Sequence, residues 1–219
     1  MDADSNAPLL PVNKPSDQKE IASATLAKLD RRVLLPCAGV ILFAFVDRFN
    51  IGFAAKDLCN ELNLTHSEYG MGVSLFFAGY LITQVGSNIL LKRFGAPFWL
   101  SFLMFAWGCA ATAMGLIQNR VQFYFVRVVL GLAEGGVFPG IYYYLSLFYP
   151  EEYVSRPYSV LMAALVFSTP VSSPISAGLL SLDGLFNLDG WRLLFIVEGI
   201  VPVLFSVFLF FLLPESPAN

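Results

Sequence analysis

Charged side chains are scarce in this chain, and that scarcity excludes most classes of soluble protein. Only 13% of the 219 residues are charged, whereas 57% are hydrophobic and 15% are aromatic. The apolar residues occur in long blocks, and no water-soluble domain needs so much apolar surface. No basic tract indicates a nucleic-acid partner. The composition therefore predicts an all-α, polytopic membrane protein that lies in a lipid bilayer.

Histidine and cysteine are also rare, which bears on catalysis and on metal binding. The only histidine is His66, in a predicted loop, and the three cysteines are odd in number and far apart. A disulfide framework is therefore not expected. An intramembrane enzyme needs a nucleophile with a base, or a metal cluster, at membrane depth. The sequence has no intramembrane histidine, no paired-aspartate motif and no Gly-x-Ser-x-Gly motif, so we expect neither an enzyme nor a bound cofactor or metal.

Six apolar runs are long enough to cross a bilayer, which takes roughly 20 residues. The predicted helices span about residues 33–55, 70–91, 98–117, 121–149, 158–181 and 193–213. Together they form a predicted transmembrane domain over residues 33–213. Residues 1–32 are polar, contain prolines and lack the apolar core of a signal peptide, which predicts a disordered cytoplasmic tail. Residues 214–219 are interpreted as the start of a truncated linker.

Lysine and arginine near the helix ends indicate how the chain is oriented in the membrane. With the amino terminus inside, the inner flanks hold six such residues and the outer flanks hold three. The inner residues are Lys28, Arg31, Arg32, Lys92, Arg93 and Arg156, and the outer ones are Lys56, Arg120 and Arg192. A cytoplasmic amino terminus is therefore predicted. The sequence leaves the plasma membrane and a vacuolar or lysosomal membrane as alternatives.

The fourth run carries two charged residues at membrane depth, Arg127 and Glu134. Ionisable groups at that depth are costly and are tolerated where they face a protein interior or a water-filled path. Arg127, Gly131 and Glu134 are four and three residues apart, so they share one face of a helix. The pair Gly131 and Gly135 allows a neighbouring helix to approach closely. The fourth helix is therefore predicted to line a functional interior.

The first run brings two more charges to the depth of Arg127. At ~1.5 Å per residue, Asp47 and Arg48 lie about 21 Å above the inner boundary of a ~30 Å core, and so about 9 Å below the outer one. Arg127 also lies about 9 Å below the outer boundary. Two arginines and one aspartate leave an excess of positive charge at this level, which an anion would neutralise.

Glu134 is predicted about 10 Å deeper than Arg127, nearer the cytoplasmic side. In a dry site with no cation beside it, a glutamate binds a proton near neutrality, as a proton-coupling group must. The alternative is that Asp47, Arg48, Arg127 and Glu134 form an interhelical ion network that only holds helices together.

Two further polar residues lie inside predicted helices. Glu198, in the sixth run, is expected to pair with Arg192 or to cap a polar patch, and a structural role is the favoured interpretation. Tyr80, in the middle of the second run, reaches a cavity or packs in the interior, and the sequence leaves both readings open.

A series of short motifs occurs in the order found in a known family. They are DRFNIG at 47–52, FFAGY at 76–80, SN at 87–88, KRFGA at 92–96, Arg127 with GLAEG at 131–135, FPG at 138–140, and GWR at 190–192 through Phe195 to Glu198 and Gly199. The set resembles the amino-terminal half of the anion:cation symporter branch of the major facilitator superfamily. That branch includes sugar-acid, tartrate and allantoate permeases and sialin. The resemblance covers about residues 30–217.

The resemblance implies a secondary active transporter that moves a small organic carboxylate anion by symport with a proton, with sodium as the alternative coupling ion. It implies that Arg48 binds the substrate carboxylate with Arg127 as its buried partner, and that Tyr80 lines the cavity. Asn50 is placed with them as a candidate substrate-binding residue. Asp47 and Glu134 resemble the protonatable carboxylates of the family.

The resemblance is incomplete in two respects. Gln84 and Gly86 stand where many of the sugar-acid carriers have glutamate and proline. Family members also carry twelve helices in two halves with the site between them, whereas six are predicted here. The expectation is a fragment whose missing partner is a second six-helix half. The alternatives are a non-transporting truncated product and an assembly module in which two copies associate.

Overall fold

The computed structural model describes residues 23–215, which contain helices, turns and loops and no strand. Six of the described helices are long and apolar enough to cross a membrane. They are α1 (Ser23–Glu61), α2 (His66–Phe94), α3 (Ala96–Met114), α4 (Arg120–Phe148), α5 (Ser155–Leu180) and α6 (Gly190–Leu212). The prediction of an all-α protein with six membrane spans is confirmed.

The first span begins earlier than the sequence indicated. Residues 1–22 of the predicted tail and 216–219 of the predicted linker lie outside the described residues. Residues 23–32, which we assigned to the tail, are helical because alanine, leucine, lysine and arginine make up seven of the ten residues and favour a helix. The helix passes through a π-helical turn, Asp30–Leu34, into the α-helix Leu35–Glu61.

Side chains from the loop after α4 and from the first turn of α5 hold this turn in place. The Asp30 carboxylate forms a salt bridge of 2.7 Å with Arg156 and accepts a hydrogen bond of 2.9 Å from the Tyr149 hydroxyl. Burial raises the pKa of Tyr149, and the hydrogen bond to Asp30 raises it further. The hydroxyl therefore stays protonated and remains a donor to Asp30.

The fourth span is interrupted directly after Glu134. Its two α-helical segments, Arg120–Glu134 and Val137–Phe148, are joined at Gly135 and Gly136. A Cβ at Gly135 would collide with the Tyr80 carbonyl oxygen of α2, and a Cβ at Gly136 with the hydroxyl of Ser87. The backbones of α2 and α4 are therefore in direct contact at the level where Glu134 lies.

The third and sixth spans pack along most of their length, also through glycines. A Cβ at Gly108 of α3 would lie 2.8 Å from the carbonyl oxygen of Gly199 on α6. The other extensive pairs are α2 with α4 and α1 with α5. Buried side chains of α1, α3 and α4, among them Ile41, Trp107 and Ile141, form the main core. This packing directs one face of α1 and one face of α4 toward each other.

Candidate functional site

An ion pair joins α1 to α4 within the membrane-spanning region. Arg48 Nη2 donates to Glu134 Oε2 at 2.6 Å. The Glu134 side chain is 1% exposed, whereas that of Arg48 is 20% exposed. Hydrogen bonds between two ionised groups are short and about twice as strong as neutral ones. A fully buried acid is thus held by a cation that remains accessible from one side of the bundle.

Aromatic rings surround the Arg48 guanidinium. Its Cζ lies 4.8 Å from the ring centre of Phe45, 4.9 Å from that of Tyr80 and 5.4 Å from that of Phe76. These contacts attract the cation without using its N–H groups. Within the described chain, Arg48 Nε is buried and has no hydrogen-bond partner. The guanidinium is therefore fixed in position while at least one of its donors is unused.

Arg127 contacts the same ring that supports Arg48. Its Cζ lies 4.6 Å from the ring centre of Phe76, and its Nε donates to the Gly72 carbonyl oxygen at 3.4 Å. Arg127 is 4% exposed and Phe76 is 1% exposed, so both are buried between α2 and α4. The sequence analysis did not single out Phe76 as a site residue. Its position in the FFAGY motif, one turn before Tyr80, was the available signal.

The partner of Glu134 differs from the sequence-based expectation. We expected a glutamate with no cation beside it, because the residue count placed it well below Arg48. The long side chain of Arg48 bridges that difference in depth, and the two groups bind directly. The excess positive charge expected near Arg48 is therefore offset by Glu134 in this structure.

Asp47 lies on the same helix as Arg48, but its side chain points toward a different space. Asp47 is 4% exposed and lines a cavity of about 140 Å³ between α1, α5 and α6, together with Glu198. In the described part of the chain, Asp47 Oδ1 and both carboxylate oxygens of Glu198 have no hydrogen-bond partner. Asp47 therefore lies between this cavity and the group around Arg48, because it also interacts electrostatically with Glu134 and Arg127.

The expectation that Glu198 pairs with Arg192 is wrong. Arg192 binds the Glu61 carboxylate and donates to the Gly115 carbonyl oxygen at 2.9 Å, at one end of the bundle. Residues six apart lie on different faces of a helix, since only positions three or four apart are neighbours. Glu198 therefore points into the bundle interior, whereas Arg192 lies at the end of α6 and points toward Glu61 and Gly115.

Asn50 lies against α5 and is not part of the group around Arg48. Its Oδ1 accepts hydrogen bonds from Ser172 at 3.2 Å and from Ser176 at 3.0 Å, and the residue is fully buried. The two serines are one turn apart and flank Pro174. The amide of Asn50 thus ties α1 to the proline-containing part of α5.

The sequence is similar to those of known transport proteins. The sequence profile of the Major Facilitator Superfamily matches residues 37–219. The chain is 35% identical over 198 residues to "Putative tartrate transporter" of Agrobacterium vitis. The matched region covers 90% of this chain and 44% of that protein. The chain is 35% identical over 201 residues to "Putative metabolite transport protein NicT" of Pseudomonas putida, covering 91% of this chain and 46% of that protein. The chain spans less than half the length of these relatives.

Two solved structures share this arrangement of helices. A bacterial homologue of the human lysosomal transporter Spinster, in an inward-facing and unoccupied conformation, matches with a TM-score of 0.78 and 19% identity, over 85% of this chain and 43% of that one. The proton:xylose symporter XylE bound to 6-bromo-6-deoxy-D-glucose matches with a TM-score of 0.69 and 18% identity, over 87% and 46% of the two chains. At these identities the likeness shows the fold alone.

Proposed function

Because the chain belongs to the Major Facilitator Superfamily, we propose that it supplies six spans of a secondary active transporter for a small organic carboxylate anion, coupled to a proton. It is an integral multi-pass membrane protein, and the superfamily consists of transporters rather than enzymes. The tartrate named in the Agrobacterium relatives supports a carboxylate substrate. The observation that carries the proposal is the ion pair between the accessible Arg48 and the buried Glu134.

The ion pair makes the anion and Glu134 compete for one guanidinium. While Glu134 is ionised, the Arg48 Nη2 donor is engaged at 2.6 Å. Protonation of Glu134 removes its charge, and the guanidinium is then free to bind a substrate carboxylate through two parallel hydrogen bonds. Phe45 and Tyr80 keep the guanidinium in place meanwhile, because their contacts with it do not depend on Glu134.

Binding of an anion should in turn favour protonation of Glu134, because both depend on the contact between Arg48 and Glu134. An anion bound to Arg48 draws the guanidinium away from Glu134 and leaves a buried carboxylate without its cation. Such a carboxylate is costly and is neutralised by taking up a proton. Anion and proton thus each favour the binding of the other, and linkage requires the two effects to be equal.

The other predicted site residues have supporting roles in this proposal. Arg127 adds positive charge next to Phe76 and so favours an anion near Arg48. Tyr80 lines the site beside Arg48, and Asn50 acts through the position of α5. A second six-helix half completes the carrier, and the amino terminus lies in the cytoplasm. The plasma membrane and a vacuolar or lysosomal membrane both fit this proposal.

Uptake into proteoliposomes tests this function. The complete carrier, with these six spans as one half, is supplied with labelled tartrate and with xylose as an uncharged control. An inward-acid gradient is expected to increase tartrate uptake, a sodium gradient at constant pH to have no effect, and xylose to stay outside. Glu134→Gln should abolish the response to the gradient, whereas Glu68→Gln, at the outer surface, should preserve it. Uptake that is indifferent to pH, with Glu134→Gln equal to wild type, would refute the coupling.

A further inference from the structure

A basic pocket lies at the end of the bundle where α1 begins and α6 ends. Lys28 and Arg32 of α1 line it together with Leu213 and Pro214, and it measures about 520 Å³. The two cations are four residues apart, so they share one face of the helix. Both are exposed, and neither forms an ion pair with another described residue. The described residues that line the pocket include no acid.

The acids near this pocket do not neutralise its two cations. Asp30 lies between them in the sequence, but its carboxylate binds Arg156 and Tyr149. Glu215 follows the end of α6 and does not line the pocket. The pocket therefore carries two positive charges that can bind an anion.

An apolar groove between α3 and α6 adjoins the basic pocket. The groove measures about 380 Å³, and Phe211 lines both spaces. Phe102 and Val207 also line the groove, and its polar members among the described residues are Ser101 and Ser206. A groove with so little polar surface suits a hydrocarbon chain and not a polar ligand.

The pocket and the groove meet at the border between polar and apolar sequence. The first span is polar up to Arg32 and apolar from Val33, and the apolar run of α6 ends at Leu213. Lipid headgroups lie directly outside the hydrocarbon core of a bilayer. The pocket is therefore at the level of the headgroups, and the groove extends to the level of the acyl chains.

The second six-helix half proposed above has other faces to cover. The spans α2 and α5 are the least buried of the six, whereas the groove lies between α3 and α6. A lipid chain is the occupant that the bilayer itself supplies at this position.

We propose that the pocket and the groove together bind one anionic glycerophospholipid, with its phosphate group at Lys28 and Arg32 and one acyl chain between α3 and α6. Basic pockets between membrane spans bind anionic headgroups on the cytoplasmic side, where such lipids are concentrated. This side agrees with the cytoplasmic amino terminus proposed above. The inference depends neither on the transported anion nor on proton coupling.

Quenching of tryptophan fluorescence by brominated lipids measures this binding in a bilayer. Trp99 is stacked on Phe102 beside the groove, with ring centres 5.5 Å apart, whereas Trp107 and Trp191 are fully buried. The purified chain is placed in phosphatidylcholine vesicles in which a varied fraction of phosphatidylglycerol, or of phosphatidylcholine, has brominated chains. Brominated phosphatidylglycerol is expected to quench at a lower mole fraction than brominated phosphatidylcholine. Trp99→Phe should remove the difference, and equal quenching of the wild type by both lipids would overturn the proposal.

Charge-matched variants test whether the pocket holds the headgroup. Lys28→Gln combined with Arg32→Gln should weaken the binding of phosphatidylglycerol about thirtyfold, because each cation near the membrane surface adds to the attraction. Arg31→Gln combined with Arg93→Gln removes the same charge from the predicted inner flanks, outside the pocket, and should preserve most of the preference. Equal effects of the two double variants would mean a diffuse attraction and would overturn the site.

Variants that fill the groove test the position of the acyl chain. Val207→Phe places a ring in the groove and should weaken quenching by phosphatidylglycerol. Leu204→Phe adds the same bulk at an exposed position of α6 outside the groove and should not. Wild-type quenching in the Val207→Phe variant would refute the assigned position.

Soluble phosphates distinguish a lipid site from a site for free phosphate. Inorganic phosphate and glycerol phosphate, added in excess at constant ionic strength, should leave quenching by phosphatidylglycerol unchanged, because neither has a chain for the groove. Displacement of the lipid by either compound would overturn the proposal.

Discussion

The ion pairs of the described residues lie either near the ends of the helices or at membrane depth, and the two kinds have different roles. Near the helix ends Arg120 binds Glu68 at 2.8 Å, with 64% of the arginine side chain exposed. At depth Arg48 binds Glu134, whose side chain is 1% exposed. Water screens the first pair, so it contributes little to stability. The second is costly to form and costly to break, which is why we assign function to it rather than to the exposed pair.

Removing the arginine from each pair should give the largest difference in the free energy of unfolding. Arg48→Ala leaves Glu134 buried without its cation, so we expect a loss of about 3–5 kcal/mol in the free energy of unfolding. Arg120→Ala should change it by no more than the error of the measurement. Thermal unfolding of the purified chain in detergent measures both. Adding Glu134→Gln to Arg48→Ala should recover most of the loss, and equal effects of the two alanine variants would contradict the contrast.

The glycine contacts between α2 and α4 position the deep ion pair and have no counterpart at exposed glycines. A Cβ at Gly131 would collide with the Phe76 carbonyl oxygen, whereas a Cβ at Gly86 meets nothing within 4 Å. Gly131→Ala should therefore cost about 1–3 kcal/mol through forced separation of the helices. Gly86→Ala should be neutral or slightly stabilising, because alanine favours a helix. Equal unfolding temperatures for the two variants would show that the close approach is not required.

Removing a buried hydrogen bond between uncharged side chains should have an intermediate effect on stability. Asn50→Ala removes the acceptor of two serine hydroxyls on α5, and we expect a loss of about 1–2 kcal/mol in unfolding free energy. Ser172→Ala combined with it should add less than its own separate effect, since the two residues share one hydrogen bond. Full additivity in a double-mutant cycle would mean that the contact does not stabilise the bundle.

Acid pH should reveal a smaller effect on stability at the end of the bundle where Glu61 and Asp189 lie. The Glu61 carboxylate beside Asp189 raises the pKa of Asp189, mainly through a hydrogen bond and partly through its charge. The folded chain therefore holds this proton more tightly than the unfolded chain. The resulting stability is complete below the ordinary aspartate value of about 3.9 and is lost as the pH rises through the raised value.

Asp189→Asn removes this dependence. It should raise the unfolding temperature slightly near neutral pH and have no such benefit in acid, and added salt should reduce the difference. Unfolding curves at several pH values measure the effect. A benefit that persists unchanged in acid would contradict the assignment to Asp189.

The sequence predicted the six spans because each apolar block is about as long as a bilayer is thick. It also predicted that charges on α1 and α4 lie at comparable depth, since depth follows from residue count. It gave an ion network that includes Arg48 and Glu134 only as an alternative, and it did not predict the surroundings of Glu198. These depend on the reach of long side chains and on how each helix is rotated by its glycine contacts, as at Gly108 and Gly199. The position of Phe76 against both Arg48 and Arg127 depends on the same packing.

The start of α1 shows a second limit of sequence reasoning. Residues 23–32 lack the hydrophobicity of a membrane span, so they were assigned to the tail. Their helix continues the span without a break and is held by Asp30, which contacts Arg156 and Tyr149 more than a hundred residues later in the chain. Local composition does not report such distant contacts.

Equilibrium binding of tartrate at a series of pH values tests most directly whether an anion and Glu134 compete for Arg48. With the complete carrier, we predict that affinity rises about tenfold for each unit by which the pH falls, while Glu134 is mostly ionised, because one proton accompanies each anion. Glu134→Gln should bind tartrate tightly at every pH in this range. Wild-type binding that does not change with pH, or a folded Glu134→Gln variant that fails to bind tartrate, would contradict the account.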